Sequence, residues 1–152
     1  MKNYEINDDT YAVIGKNEYK SKIVEKDNEY EIDNSAYSVM DSSCEYYGSS
    51  YKGRLKASKS ILNCSYKLPI LVEESTYLIF FPIKSSLEED CVWINLSKIK
   101  DINKYSGKTE ITFENGKKII VDASKLSIDN QINRGARLES MLRKRVETKK
   151  RG

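Results

Sequence analysis

Thr109-Glu110-Ile111-Thr112-Phe113-Glu114-Asn115-Gly116-Lys117-Lys118-Ile119-Ile120-Val121-Asp122 is the stretch that decides the fold class. Apolar and polar residues alternate up to Phe113, Asn-Gly interrupts them, and a β-branched run follows. Alternation with a period of two marks a half-buried strand, and Asn-Gly supplies the two positive-φ residues of a type I′ turn. The expected element is an antiparallel hairpin with Glu114 opposite Lys117 and Ile111 opposite Ile120, both favourable pairs.

Other strands lie upstream. Tyr77-Leu78-Ile79-Phe80-Phe81 is a continuous apolar run ending at Pro82, the pattern of a central strand buried on both faces. Val92, Ile94 and Leu96 give another strand around Trp93. Nearer the start, Tyr4–Ile6 and Tyr11–Ile14 read as a hairpin about Asp8-Asp9. Lys22–Glu25 and Glu29–Ile32 read as a second pair turning at Asp27-Asn28. Ser35 is placed to cap a short helix with Val39 and Met40 inward. Two glycines and two serines make Gly48–Gly53 a loop or helix terminus.

The last element is a helix of about 20 residues, with Ser127 as N-cap and Asp129 favouring the N-terminal dipole. At roughly 100° per residue, Ile128, Ile132, Gly135, Ala136, Leu138, Leu142 and Val146 fall within about 160° of arc. Arg134, Arg137, Lys144 and Arg145 fall within about 100° on the other side, while Glu139 and Arg143 interrupt the apolar face. The elements together predict an α+β fold: a mainly antiparallel β-sheet or partial barrel with a C-terminal amphipathic basic helix. The 152 residues fit one domain spanning 1–152, with 148–152 as a frayed basic tail.

Charge narrows the function. The net charge is only +3, yet residues 1–44 carry −5, 45–67 carry +4, 68–133 carry −2 and 134–152 carry +6. Lysine is the default cation, at 20 residues against 6 arginines, but Arg54 lies in the first basic segment and the other arginines in the second. Arginine's planar fork suits phosphate oxygens and narrow minor grooves, so the distribution points to a polyanion. With no apolar run of membrane-spanning length and no signal-peptide core, a cytoplasmic protein is expected.

Catalytic templates fail one by one. Gly48-Ser49-Ser50-Tyr51-Lys52-Gly53-Arg54-Leu55 has the glycine spacing of a P-loop, but Arg54 and Leu55 stand where Lys and Ser/Thr are needed. One residue too many separates Ser50 from Gly53 for a nucleophile elbow. The chain has no histidine, so no Ser-His-Asp or Cys-His set can be assembled. Cys44, Cys64 and Cys91 are too few for structural zinc and read as buried, reduced thiols. No cofactor, metal or catalytic residue is expected. The Gly48–Arg54 tract offers phosphate chemistry instead: hydroxyls from Ser49 and Ser50, close approach at Gly48 and Gly53, charge from Lys52 and Arg54, and flat donors from Tyr46, Tyr47 and Tyr51.

Cys44-Glu45-Tyr46-Tyr47-Gly48-Ser49-Ser50-Tyr51-Lys52-Gly53-Arg54 resembles the signature of the ComK family, with its Cys, aromatic pair, Gly-Ser-Ser-Tyr and Gly-Arg. The resemblance continues through Lys67-Leu68-Pro69-Ile70, Phe81-Pro82, Cys91-Val92-Trp93-Ile94, Phe113-Glu114-Asn115-Gly116 and Asn130-Gln131-Ile132-Asn133-Arg134. It implies an activator of competence genes that binds double-stranded DNA at A/T-rich boxes, largely through the minor groove, as a homo-oligomer. Adaptor and protease machinery are further implied partners. The chain departs from the family in two ways. It stops soon after the basic helix, where longer members carry a tail serving regulated turnover, and Ile128 stands where an aromatic is expected.

The residues expected to contact DNA are Ser49, Ser50, Tyr51, Lys52, Arg54, Arg134, Arg137, Lys144 and Arg145. The alternative is a non-enzymatic protein-interaction module derived from the same family. Neither reading includes catalysis, so purified protein should hydrolyse neither ATP nor GTP. Turnover that disappears on mutating Ser50 or Arg54 would contradict this.

Overall fold

The structure, a computed structural model, describes residues 4–151, with side chains to residue 148. In chain order the elements are β1 (Thr10–Asn17), β2 (Lys20–Glu25), β3 (Glu29–Ile32), α1 (Ala36–Tyr46), α2 (Tyr51–Leu62), β4 (Ile70–Glu73), β5 (Leu78–Pro82) and β6 (Val92–Asn95). A single 3-10 turn (Leu96–Lys98) then leads to β7 (Ile99–Tyr105), β8 (Lys108–Phe113), β9 (Lys118–Val121) and α3 (Lys125–Arg151). Six strands form an antiparallel sheet in the order β3-β2-β1-β6-β5-β4, and β7-β8-β9 form a second. The sheet does not close into a barrel, because β3 and β4 remain its two ends.

Both faces of the large sheet are covered, which explains the near-continuous apolar runs in its strands. Val13, Ile23, Ile70, Val72, Phe80 and Trp93 project to one side and pack with Val39, Met40 and Cys44 of α1 and Tyr51 of α2. Ala12, Val24, Phe81, Val92 and Ile94 project to the other, against Ile111, Phe113 and Val121 of the second sheet and Ile128 of α3. Each fully buried Phe or Ile contributes about 1.5–3 kcal/mol relative to exposure. A third cluster joins Ile61 and Leu62 of α2, Leu138 of α3, and Leu68, Leu71 and Ile79. The two helices thus meet beside the β4 end of the sheet.

The expected first hairpin is different. β1 pairs with β2, not with Tyr4–Ile6. Asn17 Oδ1 accepts the Tyr19 N–H at 2.8 Å, forming the Asx turn that reverses the chain. Ile6 is instead buried against α1: its N–H donates to Ser43 Oγ at 2.9 Å and its carbonyl accepts from the Tyr47 hydroxyl at 2.7 Å. The β2–β3 pair and the Ser35 cap are as expected, with Ser35 Oγ accepting from Ser38 N at 3.0 Å.

The β8–β9 hairpin exists, but its register is one residue tighter. Ile111 pairs with Ile119, and Glu110 with Ile120. Phe113 N donates to the Lys117 carbonyl at 2.8 Å and Gly116 N to the Phe113 carbonyl at 2.9 Å, so the loop is Glu114-Asn115-Gly116. Only Gly116, at φ +90°, enters the positive-φ region, as in a three-residue loop ending on a left-handed glycine. Asn115 is freed for tertiary work: Nδ2 donates to the Lys26 carbonyl at 2.7 Å, while Lys117 Nζ donates to the Glu25 carbonyl at 2.9 Å.

α3 begins earlier than expected. Ser124 caps it, its hydroxyl accepting from Ser127 N at 3.1 Å. The helix runs through residues assigned above to a frayed tail, while Gly152 of that tail lies outside the described residues. Its buried face comprises Ile128, Gln131, Gly135 and Leu138, whereas Ala136 is exposed, Leu142 half-buried and Val146 44% exposed. Glu139 and Arg143 pair with each other at 2.9 Å, and Arg143 lies 4.1 Å over the Tyr77 ring. No helix among the described residues is long and apolar enough to cross a membrane. Leu138→Ala should cost about 2–5 kcal/mol. Val146→Ala should stay within about 0.5 kcal/mol of wild type, as solvent-facing changes do. Urea unfolding of both variants checks the placement of the helix.

Candidate nucleic-acid interface

The Gly48-Ser49-Ser50 tract is the corner between α1 and α2. Gly48 takes φ +90°. Its N–H donates to the Glu45 carbonyl at 3.0 Å, and Ser49 N donates to the Cys44 carbonyl at 2.9 Å. This pair of bonds is a Schellman termination, which needs a left-handed residue one past the cap and so selects glycine. Ser50 then caps α2, its hydroxyl accepting from Gly53 N at 3.0 Å, and Asp41 Oδ1 accepts from Tyr51 N at 3.1 Å. These amides are therefore engaged within the fold instead of forming an open phosphate nest. Ser49 and Ser50 are half-buried at the corner.

Tyr51 departs most from its expected place. It is 3% exposed, with ring centroids 4.9 Å from Tyr37 and 6.0 Å from Trp93. It anchors α2 to the sheet from inside. Arg54 is also turned inward: it is half-buried beside Cys44, and its Nε is buried without a partner among the described residues. Lys52 is exposed. Tyr46 is 66% exposed, while Tyr47 is half-buried and holds Ile6.

The sequence reading assigned no element between Gly53 and Leu68 and so missed the polar face of α2. Lys52, Lys56 and Lys59 are all exposed. At i, i+4 and i+7 they share one stripe, opposite the buried Tyr51, Ser58 and Ile61. The signal was present: Ser50 as cap, then apolar residues at Tyr51, Leu55, Ile61 and Leu62. The glycines and lysines masked it.

On α3 the four expected cations divide. Arg137, Lys144 and Arg145 are exposed. Arg134 is half-buried and donates to the Tyr66 carbonyl at 2.8 Å and to Gln131 Oε1 at 3.3 Å. The ion pairs among the described residues use Lys22, Lys84, Lys98, Lys117, Lys118, Lys125 and Arg143. None uses Lys52, Arg54, Lys56, Lys59, Arg134, Arg137, Lys144 or Arg145. Two of the acidic residues, Glu73 and Asp90, are engaged within the fold. Glu73 accepts from Ser75 Oγ at 2.8 Å and Thr76 Oγ1 at 2.9 Å, and Asp90 pairs with Lys84 at 2.9 Å. The result is a cationic surface spread over two helices that pack together.

This fold and surface define a class: an α+β protein whose two adjoining basic helices face solvent beside a sheet covered on both sides. The family model described as ComK protein matches residues 1–147, and the chain belongs to that family. A relative, the competence transcription factor of Bacillus subtilis (strain 168), is 33% identical over 151 residues, which is 97% of this chain and 79% of the relative. No solved structure matches this one.

The thiols follow the packing. Cys44 and Cys91 are buried and Cys64 is half-buried, which corrects the expectation that all three are interior. Burial pushes the Cys44 thiol up from its ordinary 9.0 to about 11, against a smaller opposing pull from Arg54. Burial raises Cys91 likewise to about 11. A raised folded-state pKa contributes stability fully present below the unfolded value and lost as pH climbs through the folded one. The melting temperature should therefore fall between about pH 9 and pH 11, and less so in a Cys44→Ala/Cys91→Ala variant compared with its own neutral-pH value. Iodoacetamide near neutral pH should label Cys64 well before the other two.

Proposed function

We propose that this protein is a non-enzymatic, cytoplasmic regulator of competence transcription that binds double-stranded DNA. The observation that carries the reading is the set of unpaired cations on α2 and α3. Among the described residues Lys52, Arg54, Lys56, Lys59, Arg134, Arg137, Lys144 and Arg145 enter no ion pair. Lys16, Lys20, Lys26, Lys67, Lys100, Lys104 and Lys108 enter none either, so what sets the first group apart is its place on two helices that pack together. A surface of that kind suits the densely charged phosphate backbone. Family membership and the relative's name support the regulatory role.

In this reading Lys52, Lys56 and Lys59 with Arg137, Lys144 and Arg145 hold phosphates. Ser49, Ser50 and Arg54 lie at the corner where a strand would approach the end of α1, and Tyr51 fixes α2 from within. Arg134 acts mainly through the carbonyl it binds. Recognition of A/T-rich boxes through the minor groove fits the wealth of lysine and arginine and the resemblance described above, since A/T tracts narrow that groove and deepen its negative potential. Assembly as a homo-oligomer on paired boxes belongs to the same proposal.

Salt titration of duplex binding tests it. An A/T-box duplex should bind more tightly than a scrambled one. Lys52→Ala, Lys56→Ala and Arg137→Ala should each lower the slope of log affinity against log salt by about 0.9 while leaving circular dichroism unchanged. Lys16→Ala and Lys20→Ala, on the acidic part of the chain, should change little. Effects no larger than those of the two controls would overturn the reading.

A further inference from the structure

We propose that Tyr66 and Lys67 form a third DNA contact, an aromatic and cationic tip held between α2 and α3; this rests on the DNA-binding reading above. The first observation is strain. Lys67 has φ +50°, in the left-handed region that side chains other than glycine rarely adopt. Such conformations persist where neighbouring groups over-determine them, and they concentrate at functional positions.

The groups that hold it are specific. Gln131, 1% exposed, donates from Nε2 to the Lys67 carbonyl at 2.9 Å and to the Pro82 carbonyl at 2.6 Å. Arg134 donates to the Tyr66 carbonyl at 2.8 Å, and Lys67 Nζ donates to Ser127 Oγ at 3.3 Å. Immediately downstream, Leu68 is buried and the Pro69 carbonyl accepts from Ser58 Oγ at 2.7 Å. The backbone is thus clamped by α2 and α3 together, yet the Tyr66 side chain is 61% exposed, with Lys67 Nζ 5.8 Å from its ring centroid. A buried glutamine and an arginine hold a large aromatic side chain out in solvent.

The surroundings say what the tip meets. Alongside it is a groove of about 520 Å³ whose walls include Lys52, Leu55, Tyr66, Lys67 and Leu87. A smaller cleft of about 200 Å³, lined by Lys59, Asn63, Cys64 and Ser65, lies at the residues just before it in the chain. Tyr66 thus shares a groove with Lys52 of the α2 stripe, and Arg134 holds its carbonyl. A phenol hydroxyl and an ammonium are donors that proteins direct at phosphate and sugar oxygens, and a clamped loop loses little freedom on binding.

The experiment compares wild type, Tyr66→Ala, Lys67→Gly and Lys52→Ala/Lys56→Ala on A/T-box duplex across a salt series. Neither tip variant should unfold the protein: the clamp on Tyr66 grips its carbonyl, and glycine adopts φ +50° without strain. Thermal melts confirm this. Both tip variants should weaken binding roughly tenfold, and Lys67→Gly should also reduce the salt slope by about 0.9. If both bind like wild type while Lys52→Ala/Lys56→Ala is weakened, the tip proposal falls and the DNA reading stands; the exposed tyrosine would then serve another partner. If wild type binds no duplex, the reading itself falls and the tip with it.

Discussion

The end of the six-stranded sheet at β4 is the constraint on which the interface depends. A sheet end presents unpaired N–H and C=O groups and half-covered apolar side chains, and proteins shield such edges with neighbouring elements. Here α2 comes from one face and α3 from the other, and Ile61, Leu62 and Leu138 close over Leu71 and Ile79. The hydrophobic contact that protects this side of the core also brings together two basic segments about 80 residues apart in the chain. Lys52, Lys56, Lys59, Arg137, Lys144 and Arg145 lie on the outer surfaces because the inner ones are occupied, while Arg54 and Arg134 are turned into the fold. The cationic face is therefore a by-product of packing as much as of composition.

That arrangement relies on short-range chemistry at the α1–α2 corner. Gly48 ends one helix in a left-handed turn, and Ser50 and Asp41 satisfy the first amides of the next. Tyr51 then sinks between Tyr37 and Trp93. Together these fix the direction of α2, and hence of its lysine stripe. The Gly-Ser-Ser-Tyr tract is thus a scaffold for the charged surface more than a contact in itself. Its hydroxyl and amide groups are largely committed to helix ends, which is why an open phosphate cradle does not form.

The sequence revealed elements wherever a single period dominated. Tyr77–Phe81, Val92–Ile94, the Asn-Gly hairpin and the C-terminal helix could all be recognised from spacing. It was misleading where tertiary contacts take over backbone groups that would otherwise pair locally. Tyr4–Ile6 alternates like a strand, but Ser43 and Tyr47 claim the Ile6 N–H and carbonyl. Asn115 could have joined a two-residue turn, but its amide binds Lys26 and the loop takes three residues. At the interface, the arginines of α3 stood out by residue type, whereas Lys56 and Lys59 were invisible until α2 was known to be a helix. Arg134 was grouped by angle with the exposed cations, and no periodicity could reveal that the Tyr66 carbonyl would capture it.

The tip of the β8–β9 hairpin has a kinetic side. Asn115 and Lys117 bond to carbonyls of the β2–β3 turn some 90 residues earlier, joining the second sheet to the far end of the first. Contacts so distant in sequence close a large loop, and their entropy cost falls on the folding rate. The target carbonyls precede the hairpin that grips them by some 90 residues, so they leave the ribosome before it does. The latch can close only once the chain has been made through Lys117.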